Sequence, residues 1–469
     1  MTGLTKTQDE LLDRTKPPKS GTPGDVQFPE YFDNDLENGI NLLVIENYKI
    51  PAVSVRLVFK NAGSYFDSGN YGAASVTAEL LTKGTKSRSA TQIAEDIDFL
   101  GGNLSTGSDW DGSYISLSVL KKYLNEGIDI LADVVLNPVF DEEEIVRVKE
   151  QRTASIIQGK DDPGTLSDRM FNRVVFENSP YAYPHEGTEE SIAKIQRNDL
   201  LNFYNTRYLP SNLILAFVGA ISKEEAVEIV SEKFGNWSVN TISGNDSPEA
   251  ENTGKPKEFS DNHIYIVDKP GAVQSNLKIG HKGIERNNPD FIAVTLMNTV
   301  LGGYFGSRIN LNLREKHGFT YGARSGFTPR IFPGEFSVET DVRNEVTDAS
   351  VKLIIGELKR IISEEISDEE LQLVKNYLTG LFPLQLETAN SVANRVINLK
   401  LYNLPNNYYS TYISNINKLT KADILRTAKK YIHPDNLCIV ISGNSNAIKE
   451  NLTKIKPVEI YDADGNPIN

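Results

Sequence analysis

The feature that most constrains this chain is that it carries one long pattern twice. Asp199-Leu-Leu, Tyr208, Pro210-Ser-Asn-Leu213 and Gly219 recur in order as Asp423-Ile-Leu, Tyr431, Pro434-Asp-Asn-Leu437 and Gly443. The Pro-x-Asn-Leu element and the glycine keep a common offset, 434 − 210 = 443 − 219 = 224. In each copy a helical pattern leads into an apolar strand, over 213–218 and 437–442. A repeat this long means two copies of one large α/β unit and excludes a solenoid of short repeats. Between the copies, 240–257 (NTISGNDSPEAENTGKPK) is rich in Gly, Ser, Asn and Pro and lacks apolar periodicity, as a solvated linker does. The expected organisation is an N-terminal extension over 1–27, a first domain over 28–239, the linker over 240–257 and a second domain over 258–469.

Local patterns fill in the first unit. Residues 52–60 (AVSVRLVFK) alternate and are β-branched, which predicts a half-buried strand. Residues 71–83 place Ala74, Ala78 and Leu81 at helical spacing before a C-terminal Gly84. A second helix over 90–100 stops at Gly101-Gly102, and 114–119 reads as a strand. Long helices are expected over 120–136 and 141–158.

Composition removes several functions. Lys and Arg number 49 against 63 Asp and Glu, a net charge of −14, whereas a binder of nucleic-acid backbone needs a basic footprint. At 39% hydrophobic and 9% aromatic residues the chain has a globular composition. Cys438 is the single cysteine, so an internal disulfide and a Cys-rich zinc fold are both excluded; in its apolar strand it reads as an inert core thiol. The five histidines (His185, His263, His281, His317, His433) include no pair three or four apart, so the usual helix-borne metal pair is missing. No run reaches the ~18 apolar residues of a bilayer span. Residues 1–20 have no apolar run after their charges, so neither a signal peptide nor an anchor is expected there. The compartment stays open between cytoplasm and, for a chain whose leader has been removed, periplasm.

An ordered set of short motifs then resembles the pitrilysin/insulinase family of zinc peptidases in its short, two-domain form. The set comprises Gly72…Lys83-Gly84-Thr85, Leu100-Gly101-Gly102, Asp161-Asp162-Pro163, Gly187-Thr-Glu-Glu-Ser-Ile192, Leu301-Gly-Gly…Ser307-Arg308 and Leu313-Arg-Glu-Lys-His-Gly318…Tyr321. It covers roughly residues 28 to 445. The resemblance implies an α+β fold of two homologous halves, each a mainly antiparallel six-stranded sheet covered by helices.

In active members, the helix before the Lys-Gly-Thr element carries H-x-x-E-H, two zinc-binding imidazoles one turn apart with a general-base Glu between them. A Glu about 76 residues further on completes the metal site. With the register fixed on Gly72 and Lys83-Gly84-Thr85, those positions are Ser75, Ala78, Glu79 and Ser155. One carboxylate and two hydroxyls do not make an ordinary zinc site, and Ala78 cannot take a proton from water. No His occurs before residue 185, so a shifted register does not rescue the motif. The chain is expected to bind no metal and to hydrolyse nothing alone by the family mechanism.

Arg314 and Tyr321, in LREKHGFTY, match a pair that the family's non-zinc half directs across a central chamber onto substrate. A guanidinium fork suits a peptide carbonyl or oxyanion, and a phenol donates a hydrogen bond beside it. Without the resemblance, the same residues read as a surface Arg at a helix end and a core Tyr at the start of a strand. Some family members divide the work between two chains, one bearing H-x-x-E-H and the other the Arg and Tyr. The resemblance therefore implies a heterodimer with zinc in the partner subunit, a peptide as substrate, and binding by strand addition at a sheet edge. The alternative is a catalytically dead pseudopeptidase acting as a scaffold or peptide binder, and self-association in place of a heterodimer stays open. His185 reads as a loop hydrogen-bonder, and His263, His281 and His433 as structural. Gly101-Gly102 and Gly302-Gly303 lack a G-x-G-x-x-G frame for nucleotides. Trp110 could line the chamber or pack.

Overall fold

The computed structural model describes residues 27–237 and 263–468. The expected linker over 240–257, and all of the expected N-terminal extension except Gln27, lie outside the described residues.

The strands of the first half are β1 (Phe32–Asp35), β2 (Asn41–Glu46), β3 (Ala52–Lys60), β4 (Asn103–Ser108), β5 (Gly112–Leu120) and β6 (Leu213–Gly219). They form one sheet in the order β1-β2-β6-β3-β5-β4, in which only β2 and β6 run parallel. The second half repeats the plan with β7 (Ile264–Asp268), β8 (Gln274–Lys282), β9 (Ala323–Thr328), β10 (Glu335–Arg343), β11 (Cys438–Gly443) and β12 (Val458–Tyr461). Their order is β12-β7-β11-β8-β10-β9, antiparallel from β11 to β9 and parallel from β12 to β11. The expected α+β fold of two matching halves, each with a mainly antiparallel six-stranded sheet, is the one found.

The central strands are apolar on both faces, which is why β6 reads LILAFVG with every residue buried. One face of the first sheet meets the half's own helices α1 (Ala73–Leu80), α2 (Ala90–Phe99), α3 (Leu124–Leu136) and α4 (Glu142–Gly159). The other face is covered from the second half. Val392, Ala393, Val396, Ile397 and Leu401 of the helix Ala389–Leu401 close over Leu43, Ile45, Val58, Ile214, Ala216 and Val218. The loan is returned by α5 (Pro163–Val175), whose Leu166, Met170, Phe171 and Val175 pack on Tyr265, Val267, Cys438 and Val440 of the second sheet. At about 1.5–3 kcal/mol for each large apolar side chain buried, neither sheet keeps a complete core without the other half's helix.

A polar clasp marks the centre of each exchange. Arg56, fifth residue of β3, donates to Asn394, sixth residue of the helix Ala389–Leu401. Lys278, fifth residue of β8, donates to Asp168, sixth residue of α5, at 2.6 Å. The two halves also meet at their hairpin tips. Asp111, between β4 and β5, accepts from the Ile331 N–H (3.2 Å) between β9 and β10, and from the hydroxyls of Tyr402 (3.1 Å) and Tyr181 (3.3 Å). The Arg330 guanidinium lies 3.8 Å from the Trp110 ring centre and 4.5 Å from that of Tyr181. Trp110 thus packs in the seam between the halves.

Candidate functional site

The degenerate metal positions lie where α1 crosses α4. Gly72 precedes α1 with φ +96°, a left-handed conformation that favours glycine, and a Cβ there would approach the Ile192 Cδ1 to 2.7 Å. The buried Asp67 carboxylate accepts the N–H groups of Gly72 (2.7 Å) and Ala74 (2.8 Å), so it caps the helix from a distance. Ser75 and Ala78 are buried on α1, whereas Glu79 reaches out and forms an ion pair with Arg152 of α4. Ser155, one turn beyond Arg152, is exposed.

This donor set does not fit zinc. Its single carboxylate is already engaged by a guanidinium, so a divalent cation placed there would meet a fixed positive charge. The hydroxyls of Ser75 and Ser155 are weak ligands beside the imidazoles and thiolates zinc prefers, and Ala78 offers nothing. Among the described residues, no group of three or more His, Cys, Asp or Glu side chains is placed to hold a metal ion.

Arg314 and Tyr321 stand on the second half in a braced frame. Its helical path loosens into a π-helical turn over Leu311–Lys316, a wide turn frequently found at functional sites. Three contacts fix that turn. Arg308 grips both oxygens of Glu370 at 2.6 and 2.9 Å, Asn312 donates to Glu357 at 2.7 Å, and Asn310 accepts the Ala323 N–H at 3.0 Å. The Arg314 guanidinium lies 4.4 Å from the Phe305 ring centre and donates to Glu315 at 2.7 Å. Gly318, at φ +64°, turns the chain back. Thr340 then donates to the Gly322 carbonyl at 3.0 Å, and the Gly322 N–H donates to Thr320 at the same distance.

Between Thr320 and Gly322, the Tyr321 side chain is 94% exposed. The reading of Tyr321 as a core residue opening a strand is therefore corrected, because β9 begins at Ala323 and Tyr321 tips the turn before it. Phe305 is likewise 65% exposed. No hydrogen bond or ion pair among the described residues joins this frame to the Glu79–Arg152 pair on the other half.

Sequence reasoning missed Arg152 and Phe305. Arg152 stands three residues before Ser155 on α4, a spacing that shares one helix face, and Phe305 is an aromatic set between Gly303 and Gly306. Three histidines take part in backbone contacts. His281 accepts the His433 N–H at 3.1 Å, with burial pulling its own pKa down to about 4, and the His185 carbonyl accepts from Ser64 at 2.8 Å. Among the described residues, no helix is long and apolar enough to cross a membrane.

Comparison with known proteins agrees with this architecture. The model of the family "Insulinase (Peptidase family M16)" matches residues 42–189, and that of "Peptidase M16 inactive domain" matches residues 194–378. An uncharacterized zinc protease of Rickettsia bellii is 26% identical over 87% of this chain and 97% of its own length. A non-peptidase homolog, YmxG, of Helicobacter pylori is 25% identical over 86% of this chain and 92% of its own. The crystal structure of a peptidase M16 inactive domain from Pseudomonas fluorescens superposes with a TM-score of 0.81 at 27% identity, covering 88% of this chain and 98% of that one.

Proposed function

Because the chain belongs to the insulinase family of peptidases, M16, we infer that it serves as the non-catalytic subunit of a two-chain zinc endopeptidase. In this reading an H-x-x-E-H partner binds the zinc, and this chain lends Arg314 and Tyr321 to the partner's site. The observation that carries it is the 94% exposure of Tyr321 on a braced turn seven residues after Arg314, in a chain whose own metal positions are closed by the Glu79–Arg152 ion pair. Arg314 would hold a peptide carbonyl or its developing oxyanion, with Phe305 beneath keeping the guanidinium flat and aimed. The Tyr321 hydroxyl would donate alongside it. The substrate is an extended peptide lying along a free sheet edge, β4 or β9, whose unpaired backbone groups accept another strand.

The test mixes this chain with the H-x-x-E-H homologue from its own cell and follows cleavage of a quenched fluorescent peptide. Neither chain alone should turn over substrate at the rate of the mixture. Arg314→Ala should lower kcat by about 10²-fold, the scale of one lost oxyanion donor, and Tyr321→Phe should lower it less, with association of the chains unchanged. Full activity in both variants would end the donated-residue reading. One finding favours a second reading, a scaffold or peptide binder without catalysis: the Helicobacter pylori relative carries the name non-peptidase homolog. Affinity purification from the native cell separates the two, since a stoichiometric H-x-x-E-H chain supports the peptidase and its absence supports the scaffold.

A further inference from the structure

Arg56 and Lys278 are equivalent residues, each at the centre of a nine-residue strand and each meeting the helix lent by the other half. Their charge balance differs sharply. Lys278 is buried and ringed by the carboxylates of Asp168, Glu335 and Glu339 at 2.6, 2.9 and 3.1 Å. Arg56 meets only the neutral amide of Asn394, and its buried Nε has no hydrogen-bond partner. No carboxylate pairs with it among the described residues, and burial holds its guanidinium below the usual arginine range. A partly desolvated cation without a countercharge is costly. The fold solves this problem at Lys278 and leaves it open at Arg56.

What surrounds Arg56 is suited to an anion. Ser116 is its register partner on β5, and Ser105 is the partner of Ser116 on β4. The next row is Ser54, Ser118 and Asn103. Successive residues of a strand alternate faces, so these side chains share the Arg56 face, opposite the core residues Val55, Ile115 and Leu117. The lent helix packs on β6, β2 and β3, and Ser105, Ser118 and Asn103 beyond it are exposed. Arg56 therefore sits at the border between that helix and a hydroxyl-lined floor running out to the free edge at β4.

We propose that Arg56, with the hydroxyls of Ser116 and Ser105 beside it, is a carboxylate-binding site that anchors a peptide on the floor of the first sheet. The guanidinium donates to the carboxylate from the nitrogen that Asn394 leaves free, and the ligand supplies the charge that Asp168 and the two glutamates supply to Lys278. The carboxylate is a peptide C-terminus or an Asp or Glu side chain. The proposal does not depend on Arg314, Tyr321 or a partner subunit.

Three fluorescein-labelled decapeptides test it by anisotropy on the full chain: a free acid without acidic residues, its C-terminal amide, and the amide with one central Glu. Wild type should bind at least one carboxylate form about tenfold more tightly than the plain amide, as a charge-assisted hydrogen-bonded contact requires. Which form gains identifies the source of the carboxylate. Arg56→Gln should bind all three alike. Asn394→Asp should also bind all three alike, because it installs beside Arg56 the internal carboxylate that Lys278 already has in Asp168, and it should keep the melting temperature of wild type or raise it. Equal binding of the three peptides to wild type, or a preference that survives in Asn394→Asp, overturns the proposal.

Discussion

Replacing Phe171 by Ala should damage the half of the molecule to which Phe171 does not belong in sequence. Phe171 lies in α5, is completely buried, and packs with Tyr265, Val267, Cys438 and Val440 of the second sheet. Emptying a fully buried Phe site costs about 3–5 kcal/mol through lost transfer and the cavity left behind. At 1.4 kcal/mol per tenfold, amides whose exchange passes through opening of that sheet should lose roughly 10² to 4 × 10³ in protection. Hydrogen exchange followed by mass spectrometry under native conditions should find the loss first in β7 and β11, with β2 and β6 protected longer. The mirror variant, Ile397→Ala in the helix Ala389–Leu401, should cost about 2–5 kcal/mol and loosen β2 and β6 first. Protection lost from β2 and β6 while β7 and β11 keep theirs in Phe171→Ala would refute the reciprocal exchange, as would a cost below about 1 kcal/mol.

Other outcomes follow from the same geometry. Burial and the neighbouring Asp109 push the Asp111 carboxyl up to about 6 from its ordinary 3.8, against the lowering contacts of Ile331, Tyr402 and Arg330. The folded state therefore holds the proton more tightly than the unfolded chain, and Asp111 adds stability as pH falls from about 6 to about 4. The full gain is about 3 kcal/mol, so the denaturant midpoint at pH 4.5 relative to that at pH 7.5 should be lower in Asp111→Asn than in wild type; equal shifts would show that Asp111 does not titrate in this range. Zinc at micromolar concentration should neither raise the melting temperature nor bind stoichiometrically by calorimetry, and Arg152→Ala should not change this, because Ser75 and Ala78 remain non-ligands. A one-to-one zinc complex abolished by Glu79→Gln would contradict that expectation. Glu370→Gln should weaken the bidentate hold on Arg308 and cost about 1–3 kcal/mol, which a thermal melt would register.

Most of the elements were legible in the sequence. The alternation of AVSVRLVFK marked β3 to the residue, and the repeated Pro-x-Asn-Leu marked the approaches to β6 and β11, because strand periodicity and turn chemistry are local. The residues expected over 120–136 as one helix begin with a short 3₁₀ turn over Lys121–Tyr123, a common way for a helix to start. The exchange of helices was not legible. An apolar face such as that of Phe171 and Val175 says that it must be covered, not by what, and two homologous sheets offer it equivalent surfaces. Site positions could be counted from Gly72 and Lys83, but the Glu79–Arg152 pair joins helices 73 residues apart and appears only once α1 and α4 cross. The exposure of Tyr321 was illegible for a related reason: residues between a glycine turn and a strand carry no periodicity to show whether an aromatic points in or out.

The reciprocal loan of helices also sets an order for biosynthesis. The end of α5 at Val175 precedes the end of β11 at Gly443 by 268 residues (443 − 175), so the apolar face of α5 exists long before the strands it covers. At roughly 5–20 residues per second, that interval is on the order of 10 to 50 seconds of translation. The first sheet waits as well, since the centre of its outer apolar face is covered by the helix Ala389–Leu401. Throughout that time the nascent first half presents two uncovered sticky surfaces, each of them a surface that also fits the matching half of a neighbouring copy. Overproduction should therefore expose this chain to swapped, intermolecular pairing, and slowing its synthesis or supplying a holding chaperone should raise the yield of correctly closed molecules.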